Sequence, residues 1–140
     1  MRTVTVTWDP KDERFTAVGS HVDHPVDINA PHPPGVDHGA TGFSPAELLL
    51  ASIGSCSAWD VVGILEKGRH PVEGVEAIVT GEQHTESPYA YHTIAVHFVV
   101  RGAVRESAVE RAVRLSCERY CSVIATVRPT ATVTSSFEIV

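Results

Sequence analysis

Cys56 and Cys121 are the residues through which this chain is best equipped to do chemistry, with Cys117 as a third thiol. A deprotonated cysteine is a nucleophile and a metal ligand, so the surroundings of each sulfur decide its use. Cys56 is flanked by Gly54, Ser55 and Ser57 in a run of small residues, which brings its sulfur close to whatever fills that gap. A single helical cysteine also serves as a small core hydrophobe, and both readings stay open for Cys56. Cys121 follows Tyr120 where one helix ends and the next turn opens, and exposed N–H groups there favour a thiolate. Cys117, four residues earlier on the same expected helix face, reads as packing. Asp60, one turn beyond Cys56, disfavours a thiolate if its carboxylate faces the sulfur.

A second cluster, His21, Asp23, His24, Asp27, His32, Asp37 and His38, invites a metal. No pair in it has helical ligand spacing or belongs to a Cys2His2 framework, and intervening prolines leave its geometry undefined, so no metal site is assigned. Histidines beside a strand edge are ordinarily solvated.

The elements that position the thiols follow from periodicity. Val4, Val6 and Trp8 share one face of a period-two strand, and the polar run from Asp9 to Glu13 turns the chain into a second strand over Arg14 to Val18. Val22, Val26 and Ile28 mark a third, edge strand interrupted by Pro25. Residues 29–43, broken by Pro33, Pro34 and Gly35, read as a loop. Ser44, Pro45 and Glu47 then carry the chemistry of a helix start: serine caps, proline suits the first turn and glutamate completes a capping box.

That helix runs to about Lys67 and is apolar on nearly every side, with Asp60 the one charge between Glu47 and Glu66. Ser52, Gly54, Ser55, Ser57 and Asp60 favour a buried core helix over a membrane span. Val72 to Glu82 and Tyr89 to Arg101 predict an antiparallel hairpin turning at Glu86, Ser87 and Pro88. Arg105 to Tyr120 predicts an amphipathic helix, Cys121 to Val127 a short apolar segment, and Ala131 to Ile139 a last strand.

The expected architecture is a single α+β domain over residues 1–140. A long helix that is apolar all round finds too little cover in one such chain, so an obligate homodimer is expected, its two long helices side by side and wrapped by sheet from both chains. A net charge of -6 with scattered Lys and Arg argues against nucleic acid and anionic membranes as partners. The valine and threonine alternation of residues 1–8 lacks the pattern of an export signal, so a reducing cytoplasmic setting is expected, where thiols are catalytic or sensing.

FSPAELLLASIGSCSAWDVVGILEKGR, residues 43–69, and LSCERYCSVIATV, residues 115–127, resemble the two signature blocks of the OsmC/Ohr superfamily, in the branch reading Tyr-Cys-Ser-Val. The resemblance implies an OsmC-like fold, an intertwined homodimer wrapped by antiparallel sheets, and cysteines equivalent to Cys56 and Cys121 facing each other at the subunit interface. It further implies reduction of organic hydroperoxides: Cys56 is oxidised to a sulfenic acid, Cys121 closes a disulfide, and an external dithiol or lipoyl-type donor restores both without a cofactor. Members with this activity activate the first thiolate through an arginine held by a glutamate at the start of the long helix.

Glu47 lies close to that carboxylate position and is the third candidate catalytic residue, although Ala46 stands where the acidic residue usually follows proline. Glu47 is nine residues from Cys56, roughly 13 Å at about 1.5 Å per residue, so it would act through a bridging group or in the other subunit's site. The glycine-arginine motif of the early strands is absent from residues 17–24, AVGSHVDH, leaving Arg14, His21 and His24 as candidate cations. That departure motivates a second reading, a non-enzymatic protein binding a small hydrophobic ligand at the dimer interface.

Overall fold

A computed structural model describes residues 1–11, 14–29 and 42–140. The chain divides into two compact units, Met1–Leu49 and Leu50–Val140.

In the first unit, β1 (Thr5–Asp9), β2 (Arg14–Val18) and β3 (Val26–Ile28) form an antiparallel sheet in that order. Register places Trp8 opposite Phe15 and Phe15 opposite Ile28, with Val6, Ala17 and Val26 forming the neighbouring row. Side chains alternate between faces along a strand, so all six lie on one apolar face. Ile28 is buried, whereas Val6 and Trp8 are each 55% exposed. The third strand is shorter than periodicity predicts, because Val22 falls in the turn before Pro25. Of the predicted loop, residues 30–41 lie outside the described residues, as do His32, Asp37 and His38 of the candidate metal cluster. Within the described part, Asp27 Oδ1 accepts from the Thr16 hydroxyl at 3.4 Å.

The long helix α1 (Pro45–Lys67) begins where its capping chemistry requires. Ser44 N–H donates to Glu47 Oε2 at 2.8 Å and Glu47 N–H donates to Ser44 Oγ at 3.2 Å, a reciprocal capping box.

In the second unit, β4 (Gly74–Gln83), β5 (Tyr91–Arg101) and β6 (Thr132–Ile139) form a sheet in the order β4-β5-β6. Ile94, Val96, Phe98 and Val100 of the central strand are buried on its core side, each contributing about 1.5–3 kcal/mol by leaving water. They join Ile53, Val61 and Leu65 of α1 and Val109, Ala112 and Val113 of α2 (Glu106–Leu115) in one cluster. Gly54 gives α1 its close approach to the sheet: a Cβ there would meet Val79 Cγ2 at 3.0 Å and Ala77 Cβ at 3.7 Å.

Two expectations are corrected by the structure. The second sheet is mixed, because β5 and β6 pair in parallel while β4 and β5 are antiparallel. The connection through helices returns the chain in the same direction, which a tight hairpin cannot do. The predicted helix over 105–120 ends at Leu115 and gives way to a π-helical turn, Ser116–Tyr120, before α3 (Ser122–Val127). Within the one chain α1 buries a single stripe, Ile53, Gly54, Ser57, Val61 and Leu65, and leaves Ala51, Ser52, Ser55 and Trp59 exposed, in line with the expectation that one chain offers this helix too little cover. By length and composition α1 would suit a membrane span, but that stripe packs into the protein core.

Candidate functional site

Two sulfurs and a carboxylate converge in the second unit. Cys56 and Asp60 occupy successive turns of α1, and Cys121 lies at the junction of the π-helical turn and α3. Their ligand atoms all lie within 4.8 Å of one another. Cys56 and Asp60 are half-buried and Cys121 is buried, and all three cysteines of the chain are free thiols. The Cys56 and Cys121 thiols that the resemblance pairs are brought together within one chain.

Backbone geometry sets the position of Cys121. Its N–H donates to the Ser116 carbonyl at 2.9 Å, five residues back, so the π-helical turn holds one residue more than an α turn would. Cys121 then adopts an extended backbone and caps α3, its sulfur accepting from Ile124 N–H at 3.4 Å. Arg128 Nη2 donates to the Cys117 carbonyl at 2.6 Å and ties the end of α3 back to the π-helical turn. Cys117 is buried within that turn and its thiol is raised, chiefly by burial, in keeping with a packing role.

The two adjoining thiols are pushed apart electrostatically. Burial would raise Cys56, but hydrogen bonds to Cys121, to Val123 N–H and to the Ser122 hydroxyl outweigh both burial and the Asp60 charge, leaving it below the ordinary thiol value. Burial also dominates at Cys121, and there the Ile124 N–H does not offset it, so with the neighbouring Cys56 the thiol is pushed up to about 11. The α3 start therefore favours a thiolate at Cys56, across from it, more than at the capping residue itself. Among the described residues, the donors that lower Cys56 are neutral: a thiol, an amide and a hydroxyl.

Asp60 is itself held. The Ser116 hydroxyl lies 3.0 Å from the Ser57 carbonyl and 3.2 Å from Asp60 Oδ2, sharing its proton between them and bridging α1 to the π-helical turn. Asp60 also lines a groove of about 690 Å3 with Trp59, Ile64, Arg111, Leu115 and Tyr120. Two sulfurs and an oxygen at this spacing make a donor set for a metal ion, although coordination would engage both thiols required for disulfide chemistry.

Glu47, the third candidate from sequence, closes the capping box in the first unit. The structure gives it that role; a part in the chemistry rests on the resemblance alone. Ser116 carried no recognisable signal in sequence and Ser122 only its place in the Tyr-Cys-Ser-Val run, since each gains its role from a contact across the fold.

Comparison with known proteins bears on this site. Residues 37–136 match the OsmC family, described as OsmC-like protein. Protein YhfA of Escherichia coli strain K12 is 44% identical over 98 residues, covering 69% of this chain and 73% of that protein. A crystal structure of a hypothetical protein from Aquifex aeolicus VF5 is 33% identical, with a TM-score of 0.85 over 100% of this chain and 96% of the other. The organic hydroperoxide resistance protein OhrB of Bacillus subtilis shares the fold at 18% identity, with a TM-score of 0.65 over 99% of this chain and 98% of its own.

Proposed function

The chain belongs to the OsmC-like protein family, and on that footing we propose that it is a thiol-dependent reductase of organic hydroperoxides. The observation that carries this reading is the approach of Cys56 and Cys121, whose sulfurs lie within 4.8 Å of each other while their protonation is driven in opposite directions.

The Cys56 thiolate attacks one peroxide oxygen, the O–O bond breaks and the departing alkoxide takes a proton from water and leaves as an alcohol, with Cys56 becoming a sulfenic acid. Cys121 then displaces that oxygen as water and forms the disulfide, and an external dithiol of lipoyl type returns both sulfurs to thiols. Cys121 S–H, Val123 N–H and the Ser122 hydroxyl take over the activating task for which the resemblance leads one to expect an arginine.

The same reading makes the working unit an obligate homodimer acting in a reducing cytoplasm. Its support is the apolar surface each unit leaves open: the Val6 and Trp8 face of the first sheet, and the α1 face carrying Trp59, which is 78% exposed. Covering the open part of such a face with a further layer removes its apolar side chains from water.

The test is consumption of cumene hydroperoxide with reduced lipoamide as donor. Cys56→Ser abolishes turnover, whereas Cys121→Ser is oxidised once and stops at a sulfenic acid that dimedone traps. Full turnover in both variants would exclude the proposed roles.

A further inference from the structure

Closure of the disulfide makes a demand that the Cys121 thiol does not meet alone. Cys121 must attack with its electron pair, yet its thiol is buried and neutral at ordinary pH, and a neutral thiol is a poor nucleophile. Something has to take its proton as the S–S bond forms.

We propose that Asp60 is that proton acceptor, its carboxylate serving Cys121 in closure of the disulfide rather than Cys56 in attack on the peroxide. A carboxylate oxygen of Asp60 lies within 4.8 Å of both sulfurs, a span that one water closes. Its orientation is fixed by the Ser116 hydroxyl at 3.2 Å, and Ser116 sits in the same π-helical turn whose end delivers Cys121. The acid, the sulfur it serves and the group that orients it are therefore held by α1 and one turn of backbone. Ser116 thus orients the carboxylate as a third group would orient a base that works through one water.

The step balances without an added reagent. Cys121 S–H gives its proton to Asp60 and its electron pair to Cys56 sulfur, forming the S–S bond. The S–O bond of the sulfenic acid breaks, and the departing hydroxide takes the proton from Asp60 and leaves as water. Asp60 ends as it began.

This role presupposes that Cys56 and Cys121 form a disulfide, as the peroxidase reading holds, but it requires no peroxide. Two experiments with Asp60→Asn separate the ideas. In single turnover with cumene hydroperoxide, the variant forms sulfenic acid at least as fast as the unaltered protein, because the opposing charge is gone, and closes the disulfide about 10^2-fold more slowly. In the second, Cys56 is charged as the mixed disulfide with 5,5'-dithiobis(2-nitrobenzoic acid), and release of the second thionitrobenzoate reports attack by Cys121. That release slows by a similar factor in Asp60→Asn, recovers partly in Asp60→Glu and falls less in Ser116→Ala.

Equal slowing of both phases would assign Asp60 a structural role, and unchanged release in Asp60→Asn would remove it from the chemistry. If the unaltered protein releases the second thionitrobenzoate promptly but is untouched by hydroperoxide, the peroxidase reading falls while the Asp60 inference stands.

Discussion

The Cys56 and Cys121 sulfurs lie within 4.8 Å of each other, yet one thiol is held below its ordinary value and the other is pushed up to about 11. The protonated Cys121 is thereby a donor to the deprotonated Cys56, so each ionisation state supports the other. Two thiols with identical surroundings would compete for the same charge.

The pH dependence of alkylation reads this asymmetry directly. The iodoacetamide rate at Cys56 rises with pH and levels off with its midpoint lowered from the ordinary thiol range. Ser122→Ala removes a donor and moves the midpoint up, whereas Asp60→Asn removes an opposing charge and moves it down. Cys121 stays unmodified until pH approaches 11. Peptide mass mapping of the alkylated protein assigns each rate, and coincident midpoints for the two sulfurs would contradict the assignment.

Cys121 also sets a stability trend. Its folded value lies above that of the unfolded chain, so its contribution is fully present below the ordinary thiol value and is lost as pH rises toward about 11. In Cys121→Ser the urea midpoint is accordingly less sensitive to pH across that alkaline window.

Glu47 separates a helix-capping role from a chemical one. Ser44→Ala costs about 0.5–2 kcal/mol through loss of the cap, and Glu47→Ala is expected to lose a comparable amount by breaking the reciprocal hydrogen bond. Both are expected to leave the Cys56 alkylation rate unchanged. Slower alkylation in Glu47→Ala alone would restore the carboxylate to the chemistry.

Gly54→Leu drives a side chain into Val79 and Ala77 and is expected to destabilise the protein by about 1–3 kcal/mol, measured by urea denaturation. Gly54→Ala is the milder case, since Val79 Cγ2 at 3.0 Å needs to yield by only a few tenths of an ångström.

Trp8→Asp and Trp59→Asp each place a charge on an exposed apolar face. Both are expected to weaken the proposed dimer, followed by light scattering across a dilution series. A dimer equally tight in both variants would place the subunit contact elsewhere.

The parts legible in the sequence were those that local chemistry decides. The capping box at Ser44 and Glu47 marked the start of α1, the polar run after Trp8 marked the first turn, and the predicted hairpin of Val72 to Glu82 with Tyr89 to Arg101 forms as the antiparallel pair β4 and β5. The parallel pairing of β6 with β5 was hidden because strand direction depends on the path of the intervening helices. The π-helical turn was hidden because its residues, SCERY, continue the helical pattern and only the extra backbone residue breaks it. Asp60 was visible as a charge opposing a Cys56 thiolate, but its tie to Ser116 arises only when α1 meets that turn.

That turn makes chain length, as much as side-chain identity, a determinant of reactivity. A helix rotates about 100° per residue, so deleting one residue between Ser116 and Tyr120 would swing whatever follows through more than a quarter circle. The protein could keep all three of its sulfurs and most of its core yet aim Cys121 away from its counterpart. Five residues of backbone thus act as an angular spacer for the thiol that follows them.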